Sequence, residues 1–502
     1  MADTKKVRDI LELMKLTSKK DKKLVKDAYN IALKVYDKRM RFSGETYFNH
    51  VYATARKLAE LGMNSHTVAA GFLHDTIEDG ILSDKEVLDK FGNDVLFLVK
   101  GVTKLGKLKY RGLERHTESL RKLFIATAQD VRVLIIRLAD RIHNVKTLDG
   151  HPSEKKRVRI ATETLEIFVP LADRLGMGQL RGELEDAAFP YAYPKEYKKV
   201  TELLKQRKIL NKKYLEKVHR ALQKRLAIEG IKNINIDYRV KRIYSLYKKL
   251  LRNDMDLDKI YDVVALRVIV PSVEDCYRVL GIIHSLWKPL PGKIKDYIAL
   301  PKENGYQSIH TTIFTGDGGI AEIQIRTPKM HEEAEFGIAS HLVYKRISSS
   351  KNTKEQERKV KKDLPWIKQI LEWQKSVSDS GEFLENLKTD FFKDRVFAFT
   401  PKGDVIDLPE DSTIVDFAYA IHTDIGSHTS GAKIGGKMAS LNTKLKNGDI
   451  VEIVTNKKSK PTSKWLKFVK TTIARRHIRA FIETERIKLK NFLPNIGRHH
   501  LF

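Results

Sequence analysis

The first 185 residues carry apolar side chains at the spacing of α-helices. Two stretches show it most clearly, AYNIALKVY over 28–36 and VAAGFLHDTIED over 68–79, where apolar residues recur every three to four positions. No convincing strand alternation interrupts this pattern. It predicts an all-α block over residues 1–185.

A long basic helix is predicted next, inside a connector that spans residues 186–233. Between 195 and 232 the chain surrounds one apolar stripe with lysines and arginines, and the stripe consists of Leu210, Tyr214, Val218, Leu222 and Leu226. The members fall four residues apart, so the pattern indicates a helix with one apolar face.

The pattern changes at Ile234, where short β-branched runs bounded by glycine or proline begin. These runs are INIDYRV, YDVVALRVIV, HTTIFTG and IAEIQIRT, with helical stretches between them around 272–286 and 328–345. The succession of strands and helices predicts a mixed α/β block over 234–345.

The remaining chain contains a small β-rich unit between two charged segments. Residues 346–390 form a charged, partly helical connector. In 391–455, a hairpin, a helix that opens with a capping box from Thr413 to Asp416, and further strands predict a β-grasp fold. Residues 456–502 are a basic and helical tail. The whole chain is therefore predicted to be a multidomain α+β protein.

Composition narrows the classes of function. The 502 residues include 94 Lys and Arg against 64 Asp and Glu, a formal net charge of +30, which favours polyanionic partners. Most of this excess lies in the two connectors and the tail, so we assign it to docking rather than to catalysis. The single cysteine, Cys276, excludes a disulfide framework and a zinc site with several thiolates. Without a membrane-length apolar run or a secretory signal, the expected location is cytoplasmic, with no membrane partner.

Two imidazoles and two carboxylates in separate helical segments predict a metal site. His50, the adjacent pair His74-Asp75, and Asp140 offer a ligand set that suits Mn²⁺, Fe²⁺ or Zn²⁺. Such a metal lowers the pKa of a bound water, which prepares the water for hydrolysis.

Further polar residues accompany this ligand set. Glu78 and Asp79 are expected one helical turn after the His-Asp pair, where a carboxylate can steer or deprotonate the water. Asn144, one turn after the last ligand, could hold a water or a phosphate. The alternative is a group of surface carboxylates and satisfied histidines. It suits His50 alone, but not HDTIED and ADRIHN together.

Four patches suited to phosphate binding lie close together in the α/β block. They are Arg239-x-Lys241…Ser245…Lys249, Lys293-Ile294-Lys295-Asp296, the run from Pro301 to His310, and Glu322-x-Gln324-x-Arg326. A period of two places Glu322, Gln324 and Arg326 on one strand face, which is costly unless that face lines a site. Asp262 opens another strand, so its carboxylate could meet Glu322 to hold Mg²⁺. Tyr306 offers a ring on which a base can stack.

A solvated basic sheet edge with a core tyrosine is the alternative for these patches. Each patch alone is weak evidence, and the sequence has no Walker-type glycine-rich loop. The four together favour a phosphoryl-transfer site, in which cations neutralise the charge of the transferred group.

HDTIED and LADRIHNVKTL resemble the HD-type hydrolase domain of the RelA/SpoT homologue family, which makes and degrades the alarmone (p)ppGpp. The resemblance implies a Mn²⁺ site formed by His50, His74, Asp75 and Asp140. It also implies catalytic roles for Glu78 and Asp79 and a nucleotide contact for Asn144. The guanine-binding Arg-Lys-Ser-Gly run of the family stands here as RFSG, so Arg41 and Ser43 match and Phe42 replaces a lysine.

YIALPKENGYQSIHTTI and EIQIRTPKMHEEAEFGIASH resemble the synthetase domain of the same family, which is related to nucleotidyltransferases. That domain transfers pyrophosphate from ATP to the 3′-hydroxyl of GDP or GTP. The match implies that Asp262 and Glu322 hold Mg²⁺ and that Glu322 is the base. It implies ATP contacts for Arg239, Lys241, Ser245, Lys249 and Lys295, and guanine-nucleotide contacts for Lys302, Asn304, Tyr306 and His310. Lys-Ile-Lys-Asp at 293–296 is close to the Arg-x-Lys-Asp of bifunctional members, so we expect both activities.

VFAFTPKGDVIDLP, DFAYAIHTDIG and LKNGDIVEIVT resemble a TGS domain, a β-grasp module shared with threonyl-tRNA synthetase. The match implies that His422 meets the tRNA 3′ end. A histidine favoured by the dipole at a helix C-terminus is the alternative. Longer family members continue into zinc-finger and ACT modules, which this sequence is expected to lack.

Three functions stay open at this point. The first is a bifunctional enzyme whose opposed activities are controlled reciprocally through the connector 186–233. The second is a metal-dependent nucleotide phosphohydrolase with a non-catalytic nucleotide-binding domain, against which the Asp262 and Glu322 pair argues. The third is a regulator that binds tRNA or the ribosome and has inactive catalytic domains. We favour the first.

Overall fold

The computed structural model describes residues 2–14, 18–103, 112–257, 259–260, 263–302, 304–316, 319–340, 342, 366–367, 387 and 395–492. The chain divides into two compact units, Met1–Glu372 and Trp373–Phe502. The predicted connector 346–390 lies almost wholly outside the described residues. Among the helices that are described, none combines the length and the apolar character needed to cross a bilayer.

The first unit begins with a helical block, which confirms the predicted all-α architecture. A turn of 3₁₀-helix at Leu148–Gly150 and a π-helical turn at Thr164–Phe168 interrupt it. Its α-helices are α1 (Ala2–Leu13), α2 (Lys19–Tyr36), α3 (Tyr47–Glu60), α4 (Ser65–Leu73), α5 (Asp84–Val102), α6 (Gly112–Gln129), α7 (Arg132–Lys146), α8 (Glu154–Glu163), α9 (Val169–Arg174) and α10 (Gly178–Ala192). Ser18, Thr46 and Asn64 cap α2, α3 and α4, because each side chain accepts a hydrogen bond from the first turn.

Helices α3, α4 and α7 form the centre of this block. Helix α4 is buried along nearly its whole length, and its apolar run from Val68 to Leu73 explains most of this burial. Gly71 permits the close approach of α3, since a Cβ atom there would lie 2.6 Å from Leu58 Cδ1 and 3.2 Å from Ala55 Cα. This packing brings His50 of α3 beside His74, which follows α4.

A five-stranded sheet forms the α/β block. In space the strands follow the order β1-β2-β5-β4-β3, with β2 and β5 parallel and the other pairs antiparallel. The strands are β1 (Asn235–Val240), β2 (Val264–Ile269), β3 (Lys295–Asp296), β4 (Ile309–Phe314) and β5 (Ile320–Arg326). Leu266, Ile309 and Ile323 share one buried core with residues of the helices that follow β1 and β2. The helices after α10 are α11 (Pro194–Ile228), α12 (Ile243–Arg252), α13 (Val273–Leu286) and α14 (Pro328–Phe336).

The long basic helix α11 contributes to the core of this sheet. It buries a face made of Leu215, Val218, Leu222 and Leu226. Tyr214 is only partly buried, and the side chain of Leu210 lies outside the described part. Val218, Leu222 and Leu226 of the predicted stripe therefore lie on the buried face. A spacing of four drifts around a helix of 3.6 residues per turn, so the fully buried face continues at Leu215 rather than at Tyr214.

The loop between α9 and α10 joins the helical block to the α/β block. Gly176 has a φ of +70°, and a Cβ atom there would lie 2.7 Å from the carbonyl oxygen of Asn304. The side chain of Asn304 donates to the carbonyl of Asp173 at 3.1 Å. Arg181 of α10 donates to Asp173 at 2.7 Å and to Ser245 Oγ at 3.2 Å. The two blocks thus meet at residues predicted to bind nucleotides.

The second unit combines two small sheets with one central helix. Strands β6 (Arg395–Phe399) and β7 (Val405–Pro409) form the predicted hairpin. A three-stranded sheet follows the order β10-β8-β9 and consists of β8 (Thr429–Ile434), β9 (Lys437–Ala439) and β10 (Val451–Thr455). The helices are α15 (Ile414–Ile421), α16 (Thr423–Ser427) and α17 (Thr472–Phe492).

Asp416 connects the central helix α15 to the start of the basic tail. Its carboxylate completes the predicted capping box with Thr413, accepting from the backbone N and from Oγ1, both at 2.8 Å. It also accepts from the backbone N–H groups of Lys470 and Thr471 at 2.9 and 2.8 Å. A buried apolar cluster continues this contact and includes Val415, Tyr419, Trp465, Val469, Ala474 and Ile478. The described part of the predicted tail therefore packs on the β-grasp helix.

Candidate active sites

Side chains from three helical segments converge in the helical block. His50 of α3, His74 and Asp140 of α7 place ligand atoms within 4.8 Å of one another. The Nε2 atoms of His50 and His74 lie 3.3 and 3.7 Å from Oδ1 of Asp140. Asp75 Oδ2 lies 3.3 Å from His74 Nε2. The structure thus brings together all four residues predicted to be metal ligands, and we call this group the metal cluster.

The hydrogen bonds of the two imidazoles turn their free nitrogens toward the carboxylates. His74 Nδ1 lies 2.9 Å from the carbonyl of Gly71, which can only accept, so Nδ1 carries the proton. His143 Nδ1 accepts from Arg41 at 3.1 Å, so His50 Nδ1, 3.2 Å away, must donate to it. Both Nε2 atoms then face carboxylate oxygens, and within the described part of the chain His74 Nε2 is buried without a hydrogen-bond partner. Acceptors that face one another in this way need a cation between them.

Protonation equilibria point to the same need for positive charge. Burial lowers the pKa of His50. Burial acts in the same direction on His74, but the Asp75 and Asp140 carboxylates outweigh it and raise the pKa of His74 to about 10. The cluster therefore stabilises a positive charge between its carboxylates. A divalent cation supplies that charge as well as a proton does.

Glu78 and Asp79 do not continue the helix that precedes them. Helix α4 ends at Leu73 and residues 74–80 form turns, so the expectation of a shared helical face is wrong. Thr76 Oγ1 donates to the carbonyl of Leu73 at 2.6 Å, a local bond that competes with the helical ladder. Asp79 stays near the cluster through its backbone N–H, which donates to the carbonyl of Asp75 at 2.9 Å. Its carboxylate pairs with Arg39 at 2.6 Å.

The predicted nucleotide residues of this block form one network with the metal cluster. Arg41 donates to Asn144 Oδ1 at 2.6 Å and to Glu45 at 2.9 Å. Asn144 Nδ2 donates to Asp140 Oδ1 at 2.5 Å. An amide thus links the guanidinium of Arg41 to a metal-cluster carboxylate. Ser43 Oγ is buried without a hydrogen-bond partner in the described part of the chain, while Phe42 is 76% exposed.

The sheet of the α/β block aligns one side chain from each of its five strands. The register pairs Asp237 with Arg267, Arg267 with Gln324, Gln324 with His310, and His310 with Lys295. We call this line the polar row. Glu322 lies two residues before Gln324, on the same face of β5.

A chain of hydrogen bonds crosses this face through Glu322. Gln324 Nε2 donates to Glu322 Oε1 at 2.7 Å, and Gln324 Oε1 accepts from Arg239 at 2.6 Å. Burial and nearby cations lower the pKa of His310 to about 3, so this imidazole is neutral. Tyr306 OH then donates to His310 Nε2 at 2.9 Å, and Nδ1–H points at Glu322, 3.4 Å away.

Two tyrosines and a lysine surround the predicted guanine-nucleotide side. Lys302 Nζ lies 4.7 Å from the ring centroid of Tyr297 and 5.3 Å from that of Tyr306. Tyr297 also meets the ring of His310 edge-on at 5.3 Å. Asn304 Oδ1 accepts from the backbone N–H of Tyr306 at 3.2 Å, which orders the loop that carries both residues.

The remaining predicted residues flank this face at different depths. Ser245 Oγ donates to Glu185 at 2.9 Å, at the contact with α10. Lys241 and Lys249 are half-buried, before and inside α12, and Lys295 is exposed on the edge strand β3. Asp262 lies outside the described residues, so its meeting with Glu322 stays a prediction.

Comparison with known proteins adds an independent finding. The HD domain model matches residues 28–178, the model of a region found in RelA / SpoT proteins matches 238–349, and the TGS domain model matches 396–455. A GTP pyrophosphokinase of Myxococcus xanthus is 45% identical over 469 residues, which are 93% of this chain and 61% of that protein. The chain therefore carries an HD domain, a RelA / SpoT region and a TGS domain, in this order.

Other relatives of this chain carry names for either activity or for both. A guanosine-3′,5′-bis(diphosphate) 3′-pyrophosphohydrolase of Aquifex aeolicus is 46% identical over 92% of this chain and 65% of its own length. A bifunctional (p)ppGpp synthase/hydrolase RelA of Mycobacterium tuberculosis is 41% identical over 93% of this chain and 63% of its own. The chain therefore spans less than two thirds of the length of these relatives.

His422 lies at the junction of α15 and α16. It follows the C-terminus of α15, where a dipole effect was the alternative explanation. Its Nδ1, however, accepts from the backbone N–H of Asp424 at 3.2 Å and caps the next helix. The residue is exposed.

Sequence reasoning missed His143 and Tyr297 as site residues, and it placed Gln324 on the polar face of β5 without giving it a role. His143 stands in the ADRIHN motif three residues after a ligand, and Gln324 stands in the E-x-Q-x-R run, so both had a signal in the spacing. Tyr297 had none, because its approach to Tyr306 depends on the loop between β3 and β4. The tautomers and the orphaned His74 Nε2 show that the residues of the HD domain fit a divalent cation.

Proposed function

We propose that this chain is a bifunctional alarmone enzyme. It acts as a GTP/GDP 3′-diphosphokinase and as a guanosine-3′,5′-bis(diphosphate) 3′-diphosphatase. The observation that carries the proposal is the presence in one chain of two assembled sites, the metal cluster and the hydrogen-bonded face around Glu322. The printed names of the relatives support both activities.

In the hydrolase reaction, water attacks the phosphorus next to the 3′-oxygen of (p)ppGpp. The bond from phosphorus to the 3′-oxygen breaks, pyrophosphate keeps the oxygen of water, and GDP or GTP leaves with a 3′-hydroxyl. His50, His74, Asp75 and Asp140 would hold a divalent cation, Mn²⁺ in our proposal, and it would lower the pKa of the attacking water. Glu78 and Asp79 steer the water and the proton. Arg41, Ser43 and Asn144 hold the nucleotide.

In the synthetase reaction, the 3′-hydroxyl of GDP or GTP attacks the β-phosphorus of ATP. The new bond joins the 3′-oxygen to that phosphorus, the bridging oxygen leaves with AMP, and Glu322 takes the hydroxyl proton. Glu322 and Asp262 would hold Mg²⁺, which would neutralise the charge of the transferred group. Tyr306 stacks on the guanine beside Lys302, Asn304 and His310. ATP lies along the side that carries Arg239, Lys241, Ser245, Lys249 and Lys295.

The β-grasp unit is proposed to dock RNA. His422 is exposed at a helix junction, and the segment 456–502 carries 13 basic and 2 acidic residues. We propose the tRNA 3′ end and the ribosome as partners and the cytoplasm as the location. Titration of the chain with tRNA tests this docking, because phosphate contacts predict affinity that falls steeply with salt.

Nucleotide chromatography of two reactions tests the proposed function. Incubation with ATP, GDP and Mg²⁺ is expected to give AMP and ppGpp, and incubation of ppGpp with Mn²⁺ is expected to give GDP and pyrophosphate. Glu322→Gln should abolish the first reaction alone, and His74→Ala the second alone. His66→Ala on α4 is a matched control that should leave both intact.

Each failure selects one of the alternatives. Hydrolysis without AMP formation would favour a phosphohydrolase with a non-catalytic nucleotide-binding domain. A wild type that performs neither reaction but binds tRNA would favour an RNA-binding regulator.

A further inference from the structure

Gln324 lies at the centre of the synthetase face and is almost fully buried, with 5% of its surface exposed. Its two amide atoms have different partners, Arg239 on one side at 2.6 Å and Glu322 on the other at 2.7 Å. The partners decide the orientation of the amide, because a guanidinium can only donate and a carboxylate can only accept.

The sheet fixes this arrangement from both sides. Gln324 is in register with Arg267 of β2 and with His310 of β4. Arg267 is itself held by the two carboxylate oxygens of Asp237, both at 2.8 Å. Arg267 is thus held by Asp237, and the amide of Gln324 bonds to Arg239 and Glu322 instead.

The two partners of Gln324 belong to opposite substrates in the proposed function. Arg239 is placed on the ATP side, whereas Glu322 takes the proton of the attacking 3′-hydroxyl. A glutamate side chain is flexible, and a base that must be within reach of one proton gains from being held in place. A buried amide that served only the core would have no reason to join these two groups.

We propose that Gln324 is a positioning residue for pyrophosphate transfer. Its Nε2 holds the Glu322 carboxylate toward the guanine-nucleotide side, and its Oε1 holds Arg239 toward ATP. One amide therefore sets the separation of the base and the ATP-side cation. This inference rests on the proposed function, because it assigns roles within that reaction.

Two substitutions separate the two hydrogen bonds. Gln324→Glu keeps an acceptor for Arg239 but loses the donor to Glu322, so kcat of synthesis should fall about 10- to 100-fold while KM for ATP changes little. Gln324→Met loses both bonds at similar size, so kcat should fall in the same range and KM for ATP should rise about 10-fold. Steady-state kinetics with ATP and GDP varied in turn measure both constants.

Controls for folding are available in the same chain. Hydrolysis of ppGpp with Mn²⁺ uses the other domain and should stay within about twofold of the wild type in both variants. Gln223→Met makes the same substitution at an exposed position of α11 and should leave synthesis unchanged.

The outcomes distinguish this inference from the proposed function. A wild type that forms no AMP overturns the proposed function and this inference with it. An active wild type whose two variants keep kcat within about twofold overturns the inference alone. Equal rises of KM for ATP and GDP in both variants, together with a lower melting temperature, would show a structural role and would also overturn it.

Discussion

At the scale of single residues, the two sites share one hydrogen-bonding arrangement. In each, a side-chain amide accepts from an arginine and donates to a carboxylate that the proposed chemistry needs: Asn144 between Arg41 and Asp140, and Gln324 between Arg239 and Glu322. Charge-assisted hydrogen bonds of this kind are short and directional. They hold a flexible acidic side chain in place before the substrate arrives.

Asn144→Ala tests this hydrogen-bonding arrangement in the proposed hydrolase site. The change removes the acceptor of Arg41 and the donor to Asp140, so kcat/KM for ppGpp hydrolysis should fall about 10- to 100-fold. Synthesis of ppGpp should be unchanged, because the other domain carries it. Kinetics of both reactions on one preparation make the measurement, and equal loss of both would contradict the assignment.

At the scale of elements, several helices are held where their ends meet other elements. The helical spacing in the sequence predicted the block of α1–α10, and the period of two predicted the polar face of β5. The helical spacing could not predict that α4 ends at Leu73, because the apolar spacing continues beyond that residue. The helix ends there while the Thr76 hydroxyl donates to the backbone carbonyl of Leu73. Nor could the spacing show that α11 packs into the core of the sheet, since a basic helix with one stripe has many possible partners.

The loop before α10 offers a test of the contact between the two blocks. Gly176→Ala adds a Cβ atom 2.7 Å from the carbonyl of Asn304, at a φ of +70°. The loop with Tyr306 must then move, so KM for GDP should rise in the synthesis assay and hydrolysis should change less.

Gly230→Ala is the matched control for this substitution. Gly230 has a similar φ of +73° but no atom within 4 Å of an added Cβ. Both variants pay about 1–2 kcal/mol of backbone strain, and only Gly176→Ala adds the clash. Identical KM values for GDP in the two variants would contradict a role for the contact.

Glu183 of α10 links three helices by ion pairs. It accepts from Lys57 of α3 at 2.9 Å and from Lys146 of α7 at 3.1 Å. Burial would raise its pKa, but the two lysines outweigh burial and lower it. A lowered pKa in the folded state means that this stabilisation is present above the unfolded pKa of about 4.3 and is lost as the pH falls through the folded value.

Glu183→Gln should therefore destabilise the protein in a pH-dependent way. We expect a loss of about 1–2 kcal/mol at pH 7 that shrinks as the pH falls below about 4. Urea unfolding at several pH values measures it. Glu12→Gln removes an exposed pair with Arg8 and should cost under about 0.5 kcal/mol; a Glu183 effect no larger than this would refute the linkage.

At the scale of the whole molecule, the proposed function places two opposed reactions in one chain. The residues proposed for each reaction could be selected from motifs, because histidines and carboxylates at fixed spacing are rare outside sites. Their partners His143 and Tyr297 were not, since these contacts depend on how loops and helices pack. The blocks meet through Asp173, Arg181 and Ser245, which gives the proposed reciprocal control a physical route. If the rate of synthesis stays the same when a ppGpp analogue is bound in the hydrolase site, that control is contradicted.

The most direct test of the account is product analysis of the wild type beside His74→Ala and Glu322→Gln. With ATP, GDP and Mg²⁺, the wild type and His74→Ala should form AMP and ppGpp, and Glu322→Gln should not. With ppGpp and Mn²⁺, the wild type and Glu322→Gln should release GDP and pyrophosphate, and His74→Ala should not. A wild type that performs only one reaction, or a single variant that loses both, would contradict two independent sites in one chain.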